Sequence, residues 1–83
     1  MNSILEQAAK WRDANPLRMW RRANNMPLVT LSGLVGVNVS SLSRLESGAS
    51  RPADATLESL ARVMESDPAE LRKQWDNWME ERP

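Results

Sequence analysis

The chain has 83 residues, a formal net charge of zero, and neither Cys nor His. A chain of this length buries one modest core. Without Cys or His it lacks disulfides and the commonest general bases, nucleophiles and zinc ligands, which argues against an enzyme and against a bound metal or other cofactor. No apolar run approaches the roughly 20 residues that span a membrane, and the N-terminus carries no charged-then-apolar export pattern. The expectation is a soluble, cytoplasmic protein with no membrane partner and no small-molecule substrate.

The zero net charge hides an uneven distribution. Residues 16–52 carry Arg18, Arg21, Arg22, Arg44 and Arg51 against Glu46 alone, a balance of +4, whereas residues 53–83 sum to −4. The middle segment can present a positive face to a polyanion, or these can be ordinary solvated helix surfaces.

The apolar spacing is helical throughout, strand alternation is absent, and the breaks fall at Asn15-Pro16, Met26-Pro27, Gly36, Gly48 to Pro52 and Asp67-Pro68. Ser3 with Glu6 reads as a capping box before a helix over about 3–14, with Ile4, Leu5, Ala8 and Trp11 on one face. Pro16 suits the first position of a second helix, to about 24, whose stripe is Leu17 and Trp20. A third helix, about 28–35, opens at Pro27 without a polar cap and turns Leu31 and either Leu34 or Val35 inward. Gly36 permits a sharp turn. Asn38 or Ser40 caps a fourth helix, about 39–47, with Leu42 and Leu45 inside and Gly48 at its end. Asp54 starts a fifth, with Leu57, Leu60, Ala61 and Met64 on its stripe. Asp67-Pro68 followed by Glu70 starts a sixth, about 68–81, bearing Leu71, Trp75, Trp78 and Met79.

The stretch from Leu28 to Gly48 is the most informative. It reads short helix, glycine turn, short helix, with the small residue Ser32 where two helices must cross closely. Leu42 and Leu45 hold the second of these helices, leaving Val39, Ser40, Ser41, Ser43 and Arg44 outward. Arg forks onto guanine, Ser bonds base edges or phosphates, and Val touches a thymine methyl, so this face suits a major groove.

From Leu17 to Leu71 the chain resembles the lambda-repressor/Cro-like (Xre-type) helix-turn-helix family. The resemblance is carried by Leu17-Arg18-x-x-Arg21, Leu31-Ser32, Leu34-Val35-Gly36-Val37, Ser41-Leu42-Ser43-Arg44-Leu45-Glu46-x-Gly48, Arg51-Pro52, Thr56-Leu57-x-x-Leu60-Ala61 and Glu70-Leu71, without gaps. It implies an all-α, compact five-helix domain over 16–71. To this the chain adds an N-terminal amphipathic helix (1–15) and a C-terminal helix extension (72–83). It further implies a sequence-specific DNA-binding regulator of the phage or mobile-element repressor type. Such a regulator acts as a homodimer on double-stranded DNA in a bacterial or phage-infected cell, nucleoid-associated. The resemblance assigns base contacts to Val39, Ser40, Ser41 and Arg44, phosphate contacts to Ser43, Arg51 and Arg22, and an internal ion pair to Arg21 and Glu46. The sequence departs from the family at Pro27 and Leu28, where a polar cap and a Gln are usual.

Two alternatives stay open in the sequence. Leu28, Val29 and Val39 face either DNA or a protein partner, and the second case describes an interaction module, such as an antitoxin, on the same fold. The terminal helices either pack on each other around Trp11, Trp75 and Trp78 or build a dimer interface from Leu71, Trp75, Trp78 and Met79.

Overall fold

The computed structural model describes residues 3–83; the first two residues of the expected N-terminal segment lie outside it. Six helices follow in order: α1 (Ile4–Asp13), α2 (Pro16–Ala23), α3 (Leu28–Val35), α4 (Val39–Ser47), α5 (Asp54–Val63) and α6 (Pro68–Glu80), with no strand among the described residues. Each boundary has a local cause. A short polar side chain accepts a backbone N–H at four starts: Ser3 from Glu6 at 3.1 Å, Asn15 from Arg18 at 3.0 Å, Asn38 from Ser41 at 2.8 Å and Asp67 from Glu70 at 3.3 Å. Such a cap satisfies one of the donors a helix start leaves open. α3 and α5 begin at Pro27 and Ala53 with no side-chain cap.

α3 and α4 end on glycines in the left-handed region, Gly36 at φ 70° and Gly48 at φ 80°. Asn25 (φ 50°) and Glu65 (φ 54°) take the same conformation after α2 and α5. Behind them the Met26 N–H donates to the Arg21 carbonyl and the Ser66 N–H to the Ala61 carbonyl, both at 2.9 Å. These six-residue closures are the ordinary ending of a helix whose next residue turns left-handed.

The core is Leu17, Leu31, Leu42, Leu45, Leu57, Leu60, Ala61, Leu71, Trp75 and Trp78. Each fully buried leucine contributes about 2 kcal/mol of transfer free energy. α5 packs on α6 and α3, α3 on α4, and α2 on α6. Of the two inward candidates at the end of α3, Val35 packs on the core and Leu34 faces solvent. Trp20 is only half-buried against the core.

Leu71, Trp75 and Trp78 are buried inside a single chain and Met79 packs against them, so that stripe is already occupied. α6 is one unbroken helix through residues 71 and 72, and its Trp side chains belong to the same core as α2 to α5. α1 is held differently. None of its residues is fully buried, Ile4 and Leu5 point outward, and Ala8 is half-buried. Its anchor is Trp11, whose ring stacks on Trp78 at 4.1 Å with the planes 1° from parallel. Each indole N–H donates to the other residue's carbonyl, Trp11 to Trp78 at 2.7 Å and Trp78 to Trp11 at 2.6 Å.

Candidate nucleic-acid interface

α3 and α4 cross at 112°. The turn between them is fixed from both sides. Gly36 adopts φ 70° and its N–H donates to the Ser32 carbonyl at 3.0 Å, while the Ser32 hydroxyl donates to the Val37 carbonyl at 2.6 Å. A bulkier residue at 32 would lose that bond and push the helices apart, which is why a small hydroxyl residue serves there.

α4 then has two unlike faces. Leu42, Leu45 and Glu46 are buried, and Val39, Ser40, Ser41, Ser43 and Arg44 are all exposed. Asn38 caps the helix and also accepts the Ser40 hydroxyl at 3.0 Å. The Ser40 proton is therefore engaged, while its lone pairs can still accept. Arg44 makes no ion pair among the described residues. Its carbonyl closes the end of the helix, accepting from Ala49 N–H at 2.9 Å and the Ser47 hydroxyl at 3.2 Å.

Glu46 fixes how far α4 stands out. Arg21 of α2 forks onto it, Nε to Oε2 at 2.5 Å and Nη2 to Oε1 at 2.8 Å, and Arg21 Nη1 also donates to the Met26 carbonyl at 2.9 Å. Arg18, one turn earlier on α2, adds a third contact to Glu46 Oε1 at 3.3 Å. The hydrogen bonds from Arg21 to Glu46 raise the arginine's pKa above its ordinary value against the lowering effect of burial, and charge attraction adds to the rise. A buried carboxylate held by two arginines fixes geometry more than it stabilises, because desolvation offsets most of the Coulomb gain. Arg18 belongs to the motif that carries the resemblance but received no role from the sequence. Its spacing of three from Arg21 puts both on one helix face and was the available signal.

The other assigned cations are engaged with acids. Arg22 lies 3.3 Å from Asp13 at the end of α1. Arg51, in the loop after α4, donates to Asp76 of α6 at 3.0 Å. Arg51 nonetheless shares a cleft with Arg44, Ser41, Ser50 and Thr56, so two guanidinium groups and three hydroxyls border one concavity beside α4.

The sequence did not mark the contacts at the far end of α4. Trp11 lies over Gly48, Arg82 lies 4.7 Å above the Trp11 ring, and the Arg82 guanidinium donates to the Gly48 carbonyl. These contacts join residues 34 or more positions apart, and no local pattern announces them.

The expected apolar patch changes membership. Leu28 is half-buried against the core, whereas Val29 (68% exposed), Leu34 (58%) and Val39 (40%) are open. No charged residue lies between Arg22 and Arg44, a stretch covering α3 and the first half of α4.

A family model described as a helix-turn-helix domain matches residues 14–74, well over half of the chain. No curated protein and no solved structure matches it. The matched residues include α2 through the first half of α6 and leave out α1, Trp75, Asp76, Trp78 and Arg82.

Proposed function

Since the chain belongs to the helix-turn-helix domain family, we propose that it is a sequence-specific DNA-binding regulator that inserts α4 into the major groove. The observation that carries this reading is the division of α4, in which Leu42, Leu45 and Glu46 are locked inward while Val39, three serines and an Arg44 with no ion pair among the described residues are exposed. A major groove about 12 Å wide admits one such helix. In this reading Arg44 forks onto a guanine, Ser40 and Ser41 meet base edges, Val39 touches a thymine methyl, and Ser43, Arg51 and Arg22 meet phosphates. The chain's likeness to lambda-repressor/Cro-like repressors makes a homodimer on a two-fold site the natural assembly, acting by occupancy in the cytoplasm.

Fluorescence anisotropy with duplex DNA across a range of salt concentrations tests the reading. Binding is expected to weaken with added salt, with a log–log slope of about −0.9 for each phosphate neutralised. Arg44→Ala is expected to relax preference at one base position, costing about tenfold or more there, while Arg51→Ala weakens all sequences alike. Equal effects of the two substitutions overturn these roles.

Val29, Leu34 and the uncharged stretch between Arg22 and Arg44 favour a second reading, a protein-interaction module on the same fold. A heterocomplex that protects Val29 and Val39 from hydrogen exchange and excludes DNA would replace the first reading with this one.

A further inference from the structure

α6 and Arg82, just past its end, grip the loop that follows α4 at three points. Arg72 donates to the Pro52 carbonyl at 2.9 Å and to Asp54 at 2.8 Å, Asp76 accepts from Arg51 at 3.0 Å, and Arg82 donates to the Gly48 carbonyl. The Asp76 contact differs from the other two. Arg72 and Arg82 hold backbone oxygens and a residue at the start of α5, so they fix the loop itself. Asp76 holds only a side chain, through a single N–H···O contact between groups 57% and 45% exposed. Arg51 also borders the cleft beside Arg44.

We propose that Asp76 sets DNA affinity by competing with the phosphate backbone for Arg51; this rests on the DNA-binding reading above. Carboxylate and phosphate oxygens use the same donor fork of a guanidinium, so Arg51 cannot serve both fully. An exposed pair of this kind is weak, and Arg51 is held without being locked. Asp76 also leaves a negative charge beside any phosphate that Arg51 reaches, which opposes approach. It lies beyond the residues that match the family model, on the acidic side of a chain whose residues 53–83 sum to −4. The arrangement holds affinity below what the Arg44–Arg51 pair would otherwise provide, a property suited to a regulator that must leave its site.

The test uses the full chain, mixed-sequence duplex DNA and anisotropy over a range of salt concentrations. Asp76→Asn keeps the side-chain shape and removes the charge. It is expected to tighten binding about 2- to 5-fold at low salt, the range an exposed pair supports, and to steepen the salt slope by up to about 0.9. In an Arg51→Ala background the same substitution is expected to change affinity little. The proposal is overturned if Asp76→Asn leaves affinity unchanged, or if it tightens binding equally without Arg51, which would be a general charge effect. It is also overturned if Asp76→Ala weakens binding while Asp76→Asn does not, which would make Asp76 a positioning residue for Arg51. If wild type and every variant fail to bind duplex at low salt, the DNA-binding reading itself falls, and this inference with it. Both members of the pair are exposed, so thermal melts of the variants are expected to match wild type.

Discussion

Two residues of α4 show how much rests on single side chains. Glu46 is buried between Arg21 and Arg18, and neither arginine has another buried acid to turn to. Glu46→Gln leaves two guanidinium groups facing a neutral amide. Because both arginines keep some solvent contact, the expected loss sits near the low end for a broken buried pair, about 3 kcal/mol, read from chemical denaturation. Gly48 is the second case. Both Gly36 and Gly48 hold positive φ, but a Cβ at Gly36 would meet nothing within 4 Å, whereas at Gly48 it would run into the Trp11 ring and the Arg82 guanidinium. Gly36→Ala is expected to cost about 1 kcal/mol from backbone strain alone, and Gly48→Ala about 2 kcal/mol or more. If the two cost the same in denaturant, Trp11 does not cover Gly48 in solution.

At the scale of elements, α1 is the least embedded helix and depends on one residue. Trp11 supplies the stack on Trp78, one of two reciprocal hydrogen bonds, and the ring beneath Arg82. Trp11→Ala is expected to destabilise the chain by about 2 kcal/mol, less than for a fully buried tryptophan, and to release α1. Hydrogen exchange would show this as lost protection confined to residues 4–13 with α2 to α6 retained. The same substitution removes one of the two obstacles above Gly48 and leaves the Arg82 guanidinium. In a double-mutant cycle Gly48→Ala should then cost less than it does beside Trp11, and additivity of Trp11→Ala and Gly48→Ala would contradict the packing.

These cases also mark the reach of the sequence at the element scale. The caps at Ser3, Asn38 and Asp67 and the stops at Gly36 and Gly48 act within a few residues, so they were legible. The turns at Asn25 and Glu65 were not marked, because a residue other than glycine enters the left-handed region there. The choice between Leu34 and Val35 had no local answer. One helical position separates them, and only the direction from which α3 meets the core decides it.

For the whole molecule, the electrostatic layout decides what the polar face of α4 can do. The formal charge is zero, yet Arg44 on the outer face has no ion pair among the described residues, while Arg22 and Arg51 are held by Asp13 and Asp76. Electrostatic attraction to a duplex therefore centres on few cations. The expected salt dependence is shallow for a DNA binder, a slope magnitude of about 2 per chain if Arg51 and Arg22 are the cations that meet phosphates. Ionic-strength titration of the binding constant checks this. A much steeper slope would mean that cations outside this face take part.

What the sequence determined by itself is the set of elements and the inner face of most of them, whereas on α1 Ile4 and Leu5 of the expected face are exposed. Six helices, the leucine positions that fill the core and the glycine turn before α4 follow from spacing, caps and backbone permissiveness, all of which act over a few residues. The pairing of Arg21 with Glu46 was suggested only through family resemblance, and Arg18 joined it through geometry. Only the tertiary structure decided that Trp75 and Trp78 are buried within the chain, that Leu28 tucks in while Leu34 does not, that α6 holds Arg51, and that Arg82 just past it holds Gly48. The physical reason is range. Periodicity says which face of a helix is apolar, but whether that face is covered depends on another helix tens of residues away. A charge read from sequence likewise carries no record of the partner that neutralises it.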